Sequence, residues 1–404
     1  MSVEQLVRQI HDSGARFVLA VAGGGAGAVA DLLAVPGASR SVLAAAVPYA
    51  PAAMADWLGG PPDQYCAAPT ARAMAMAAFL RACRYDPSEA RRAGVGCTAS
   101  LATDRPKRGP HRVHLAAQTA EATVAWSLEL AKGSRSRADE ERLVANLLLN
   151  LIAETCGLAS RLPVELGEGE QVQQTAILAP EPWRELLLGR VEAVCHCWPQ
   201  GKQCARVAED TASAKQWHTL AAKQWHTLAA PAAGRVIFPG AFHPLHTGHR
   251  RMAQLAGERL GAPVEFEISI LNVDKPPLDY LELDRRIKQF AADQTVWLTR
   301  APTFVEKSRR FPGATFVVGA DTLRRIADPR YYGHDAAACR RALDEIAAQG
   351  CRFLVFGRVA DDRFLRVEDL ALPDVLRWLC EEIPAEQFRE DICSTELRER
   401  GEGV

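Results

Sequence analysis

Along the second half of the chain, short apolar runs alternate with stretches in which apolar residues recur every three or four positions. That alternation predicts strands and helices in turn, the pattern of a parallel α/β sheet. Strands are expected at 235–238, 264–273, 315–318 and 352–356, and helices at 247–260, 284–292 and 335–349. In the first of these helices Met252, Leu255, Ala256 and Leu260 share the inward face. Gly350 stops the last one, and a final element is expected near Ser394. The first third of the chain is rich in Ala and Gly and ends in a helix over 138–155, with Leu143, Leu147, Leu148 and Leu151 on one face and Gly157 as its stop. A mixed connector follows, with a strand-like run at 175–178. Between 214 and 229 the octamer AKQWHTLA occurs twice in tandem. Trp217, Leu220, Ala221, Trp225 and Leu228 fall on one side at helical spacing, so the duplication is expected to lengthen an amphipathic helix. The expected division is a domain over 1–160, a connector over 161–233 and a domain over 234–404.

With 404 residues, 48% of them hydrophobic and 24% charged, the composition is that of a globular protein. Its 48 basic and 49 acidic residues leave a net charge of -1, which gives no general attraction to nucleic acid or an anionic membrane. Any phosphate site must then be local. The start of the chain is polar and unlike a secretory signal, and the apolar stretch 17–30 is too short to span a bilayer; a cytoplasmic protein is expected. The 11 cysteines lack disulfide-framework spacing. The cluster Cys195, His196, Cys197 and Cys204 lacks a second Cys-x-x-Cys pair, so buried thiols are expected there rather than a metal.

The chemistry concentrates where the strand at 235–238 runs into Gly240-Ala241-Phe242-His243-Pro244-Leu245-His246-Thr247-Gly248-His249. Glycine at 240 lets backbone N–H groups approach a phosphate, Pro244 stiffens the turn, and Gly248 leaves room for a base or ribose. Thr247 is expected to cap a helix whose amino end favours an anion. His246 and His249 then lie within one turn and both reach a triphosphate. The segment resembles the Gly-x-Phe-x-Pro-x-His-x-Gly-His signature of the adenylyl- and cytidylyltransferases that include nicotinamide mononucleotide adenylyltransferase. His243 stands where relatives carry Asp or Asn.

Two more segments fit that resemblance. Residues 391–398 look like the family's Ile-Ser-Ser-Thr-x-x-Arg signature, with Cys393 replacing one serine. Val318-Gly319-Ala320-Asp321-Thr322 resembles the Gly-Ala-Asp turn of its pyridine-nucleotide members. The resemblance implies a Rossmann-like, doubly wound parallel sheet and in-line attack on an α-phosphate with pyrophosphate leaving. It assigns His246, His249 and Arg398 to catalysis. Gly240, Ala241, Phe242, Gly248, Gly319, Asp321, Ser394 and Thr395 would hold the nucleotide, and Lys275 the acceptor phosphate. ATP with Mg2+ is the expected donor, the metal travelling with the triphosphate rather than on a dedicated protein site. The expected acceptor is a pyridine mononucleotide; CTP, another acceptor, or a non-catalytic nucleotide-binding regulator are the alternatives. No nucleic-acid or membrane partner is expected, and a homo-oligomer is left open.

The first third resembles another family, the C-terminal, nicotinamide mononucleotide deamidase-like domain of CinA, an α/β domain. Val21-Ala22-Gly23-Gly24-Gly25, Val47-Pro48-Tyr49-Ala50 leading to Leu58-Gly59, and Gly94-Val95-Gly96-Cys97-Thr98 with 107–116 carry the likeness. Active members have a serine nucleophile in the first stretch and a lysine base in the second. Here the serine position falls on Ala22 or Gly23 and the lysine on Met54, while Tyr49 is kept. Neither alanine nor glycine attacks an amide, and methionine takes no proton. The glycines at 23–25 still offer backbone N–H groups to a phosphate.

Overall fold

In the computed structural model the described residues are 1–88, 91–104, 108–196, 217–219, 225–227, 234–360, 363–389 and 397. In chain order the first elements are α1 (Val3–Asp12), β1 (Ala15–Ala22), α2 (Ala26–Ala34), β2 (Val42–Ala46), α3 (Pro51–Leu58) and α4 (Ala68–Tyr85). Next come β3 (Arg91–Ser100), β4 (His111–Gln118), β5 (Ala122–Leu130), α5 (Arg137–Thr155), β6 (Gln173–Leu178) and α6 (Glu181–Leu187). Three short strands follow: β7 (Ala193–His196), β8 (Trp217–Thr219) and β9 (Trp225–Thr227). Then β10 (Val236–Pro239), α7 (Thr247–Leu260), β11 (Val264–Ser269), α8 (Tyr280–Ile287), β12 (Val296–Thr299) and α9 (Phe304–Arg310). The chain continues with β13 (Thr315–Gly319), α10 (Ala320–Ile326), α11 (Ala336–Ala348), β14 (Arg352–Phe356), β15 (Arg358–Ala360), β16 (Arg363–Leu365), α12 (Asp374–Trp378) and β17 (Cys380–Ile383).

These elements form two compact units. Among the described residues unit 1 holds Met1–Arg184, β8 and Asp274–Glu282; the rest belongs to unit 2. Among the described residues of the expected connector, β6 extends one sheet and β7 the other. Among the described residues, no helix is long and apolar enough to cross a membrane.

Unit 1 is built on a mixed sheet in the order β2-β1-β3-β4-β5-β6-β8. Strand β1 shows why both faces are covered. Phe17, Leu19 and Val21 enter the core shared with α1, α2 and α5, while Val18, Ala20 and Ala22 face the clusters built with α3 and α4. Helix α5 begins one residue before the expected start, with Ser136 and Asp139 forming a reciprocal cap. The glycines of β3 have a packing role: a Cβ on Gly94 would lie 2.1 Å from the Ala75 carbonyl, and one on Gly96 2.3 Å from that of Ala71. Helix α4, rich in alanine, thus lies directly on β3, a separation no larger residue permits.

The sheet of unit 2 runs β17-β14-β13-β10-β11-β12-β7-β9. Strands β17 through β12 in that order are parallel; β7 and β9 complete the edge antiparallel. The chain leaves β10 toward β11 and β12, then returns to place β13 on the other flank of β10. This is a doubly wound order, and its reversal point lies at the carboxyl ends of β10 and β13, where sheets of this kind bind ligands. Phe316, Val318, Phe353 and Val355 fill one face of this sheet together with Leu323, Leu343 and Ile346.

The tandem octamer requires a correction. Its described parts are strands rather than one long helix: the first WHT pairs in parallel with β6, the second antiparallel with β7. Trp and Thr favour an extended, half-buried chain, and an open sheet edge supplies backbone partners that the helical spacing of the apolar residues did not reveal. Leu220, Ala221 and Leu228 lie outside the described residues, as do Lys107, Cys197 and Cys204. Cys195 is a buried core residue on β7.

Candidate functional site

The Gly240–His249 segment leaves β10 at that reversal point. Packing on Phe242 requires a glycine at 240. The Gly240 N–H donates to the Glu267 carbonyl at 2.9 Å, extending the sheet ladder, so it is not aimed at a ligand. A Cβ at 240 would instead lie 2.6 Å from the Phe242 ring. Phe242 folds back over Gly240 with φ 46, a left-handed conformation uncommon for a bulky residue. Its ring is fully buried, edge-on to Phe238, Phe266, Phe290 and His249 at centroid distances of 5.2–5.4 Å. Burying a phenyl ring stabilises by about 1.5–3 kcal/mol, enough to offset that backbone cost.

Two residues absent from the sequence-based site hold the loop that follows. Arg286, on α8, donates from Nη1 to the Ala241 carbonyl at 2.9 Å and from Nη2 to His243 Nδ1 at 3.2 Å. Gln289, just past α8, donates to the Phe242 carbonyl at 3.0 Å and accepts from the Leu245 N–H at 2.8 Å. His243, which departs from the family pattern, therefore serves as an acceptor for the guanidinium. Nothing in the local sequence marks Arg286 or Gln289, because their role depends on a contact more than forty residues away.

Helix α7 occupies the expected span, but its N-cap is His246 rather than Thr247, which is the first helical residue. The His246 N–H donates to His249 Nδ1 at 3.3 Å, and the two rings stack with centroids 3.8 Å apart and planes 29° apart. A backbone N–H always donates, so Nδ1 of His249 carries the lone pair and, in the neutral ring, Nε2 carries the proton. Gly248 is buried in the first turn, and that turn holds no acidic residue. Two imidazoles thus lie at the amino end of a 14-residue helix, the end whose dipole favours an anion.

Beside β10, strand β13 ends at Gly319, the N-cap of α10. Ala320 is buried, and Asp321 sits in the first turn with Oδ1 2.7 Å from where a Gly319 side chain would begin. The expected His and Gly-Ala-Asp segments therefore occupy neighbouring strand ends at the reversal point of the sheet. Lys275 falls in the Asp274–Glu282 stretch, which groups with unit 1. Ser394, Thr395 and Arg398 lie outside the described residues.

Unit 1 has its own cavity of about 400 Å³, lined among others by Ala22, Gly23, Tyr49, Arg137 and Glu141. Gly23 has φ +77, and a Cβ there would lie 1.9 Å from the Ala99 carbonyl. Ala22 and Met54 belong to one apolar cluster. The two places expected to hold nucleophile and base thus meet, but as hydrocarbon. The Gly25 N–H, one of those expected to be open to phosphate, donates to Glu141 at 2.9 Å, and the Gly27 N–H does so at 3.1 Å.

No protein-family model matches the chain, and no curated protein matches it. Solved structures do. The competence/damage-inducible protein CihA from Agrobacterium tumefaciens is 21% identical over 38% of this chain and 99% of its own, with a TM-score of 0.31. A competence-damaged protein (CinA) superfamily protein from Escherichia coli is 15% identical over 38% of this chain and 88% of its own, with a TM-score of 0.29.

Proposed function

We propose that unit 2 is a nucleotidyltransferase that moves AMP from ATP to a phosphorylated acceptor, a pyridine mononucleotide, and releases pyrophosphate. The observation that carries this reading is the His246–His249 pair at the start of α7, at the carboxyl end of β10 where the strand order reverses. Such a reaction needs positioning and charge neutralisation more than a protein nucleophile. The triphosphate would lie across the α7 amino end, where His249 donates from Nε2 as charge builds on the phosphate oxygens. Mg2+ would arrive with the triphosphate and neutralise part of its charge. Gly319 at the end of β13 and Asp321 in the first turn of α10 would flank the nucleotide.

Calorimetric titration with nicotinamide mononucleotide, nicotinate mononucleotide and phosphopantetheine, each with a non-hydrolysable ATP analogue present, tests the acceptor. Binding of phosphopantetheine alone would favour the second reading, a transferase of this fold with another acceptor. Arg286 and Gln289 act through the loop they hold. Arg286→Met is expected to lower turnover on the order of tenfold to a hundredfold by loosening the approach to His246. Unchanged turnover in the folded variant would remove Arg286 from the site.

Unit 1, by its residue pattern, is a CinA C-terminal-like domain without hydrolytic chemistry. Ammonia release from nicotinamide mononucleotide by the full chain is expected to stay at the buffer blank, because Ala22, Gly23 and Met54 supply neither nucleophile nor base. Release above the blank would show that other groups do the work.

A further inference from the structure

At the unit 1 cavity the helix start and the two charged side chains are engaged with one another or with backbone, and the pairing is unusual. Helix α2 starts at Gly25, which has φ 88 and no side chain to cap the helix, and its first turn holds no acidic residue. The opening N–H groups of any helix need acceptors. Here the acceptor comes from α5, 114–116 residues along the chain. One oxygen of Glu141 accepts from Gly25 N–H at 2.9 Å, the other from Gly27 N–H at 3.1 Å. This is the geometry of an oxyanion bound at a helix start, with the anion supplied by the protein itself. Arg137, the cation at the same cavity, is likewise engaged. Its guanidinium donates to the Gly23 carbonyl at 2.9 Å and the Ala102 carbonyl at 3.1 Å. What the cavity leaves for a ligand is small apolar surface from Val21, Ala22 and Ala26, with Tyr49 alongside.

We propose that Glu141 is an internal counter-anion that fills the amide nest at the start of α2 and so excludes phosphate-bearing ligands from the unit 1 cavity. A phosphate seeking the Gly25 and Gly27 N–H groups must displace a carboxylate already bidentate on them. A phosphate bound beside it would face a like charge at close range. The nest at the start of α2 is therefore closed to phosphate, and the expectation that Gly25 helps cradle one is reversed by a single side chain. This inference concerns unit 1 alone and stands apart from the transfer reaction assigned to unit 2.

The test uses the full chain labelled with ¹⁵N-glycine and titrated with inorganic phosphate, following the Gly25 and Gly27 amide resonances. In the wild-type protein these two are expected to stay unmoved. In Glu141→Ala they are expected to shift saturably as phosphate takes the vacated place. Glu141→Gln keeps the side chain's shape and one acceptor oxygen while removing the charge, so it reports on the same exchange should the alanine variant fold poorly. Saturable movement of Gly25 and Gly27 in the wild type would overturn the proposal, and so would their indifference to phosphate in both variants. Phosphate bound in unit 2 is read separately, on Gly240 and Gly248.

Discussion

Replacing His246 or His249 by alanine is expected to lower turnover by a factor on the order of 10²–10³ while the fold is kept. The two rings stack at 3.8 Å at the start of α7, outside the core cluster of Phe316, Phe353 and Leu343. Under the proposed reaction, loss of either imidazole removes a contact to the triphosphate. His249→Ala also takes away the acceptor of the His246 N–H, so the first turn of α7 should fray slightly more than in His246→Ala. Circular dichroism on both variants separates the two effects. Near-native turnover in either would withdraw that histidine from the chemistry.

The second large effect is on stability. Lys307, on α9, places Nζ 2.8 and 2.7 Å from the two oxygens of Glu267 and 2.7 Å from the Ala301 carbonyl. Both charged residues are nearly inaccessible, at 5% and 1% exposure. Thr299 also donates its hydroxyl to Glu267. A buried pair of this kind adds little net stability as a pair, yet cutting it strands a charge in the interior. Lys307→Met is therefore expected to cost about 3–5 kcal/mol, read as a lower denaturant midpoint. Replacing both partners, Lys307→Met with Glu267→Leu, should recover most of that loss. An unaltered midpoint in the single variant would mean that Glu267 is solvated or paired elsewhere.

The elements that frame the site were legible because their signals are local. Helices α7 and α11 and strands β10, β13 and β14 fall within about a residue of the spans read from apolar spacing. The Gly240–His249 segment follows its strand and opens its helix, as the chemistry of such a motif requires. What stayed hidden depends on partners distant in sequence. Arg286 and Gln289 fall inside the helix expected at 284–292, whereas α8 runs Tyr280–Ile287, and only the folded loop shows what they hold. For Gly240 the sequence suggests backbone approach to a phosphate, and only the fold shows the Phe242 ring that also demands a glycine there. Glu141 reads as one acid among several in the first turns of α5, with no sign that its oxygens are spent on Gly25 and Gly27. The octamer misled for the opposite reason: its spacing fits a helix, but two sheet edges offered each WHT a better set of backbone partners.

The central claim is adenylyl transfer by unit 2. Pyrophosphate release by the purified chain tests it most directly, with ATP or CTP and Mg2+ against a panel of phosphorylated acceptors. The account predicts release with ATP and a pyridine mononucleotide, dependent on His246 and His249. No release with any donor and acceptor pair, or release that persists when both histidines are replaced, would contradict it.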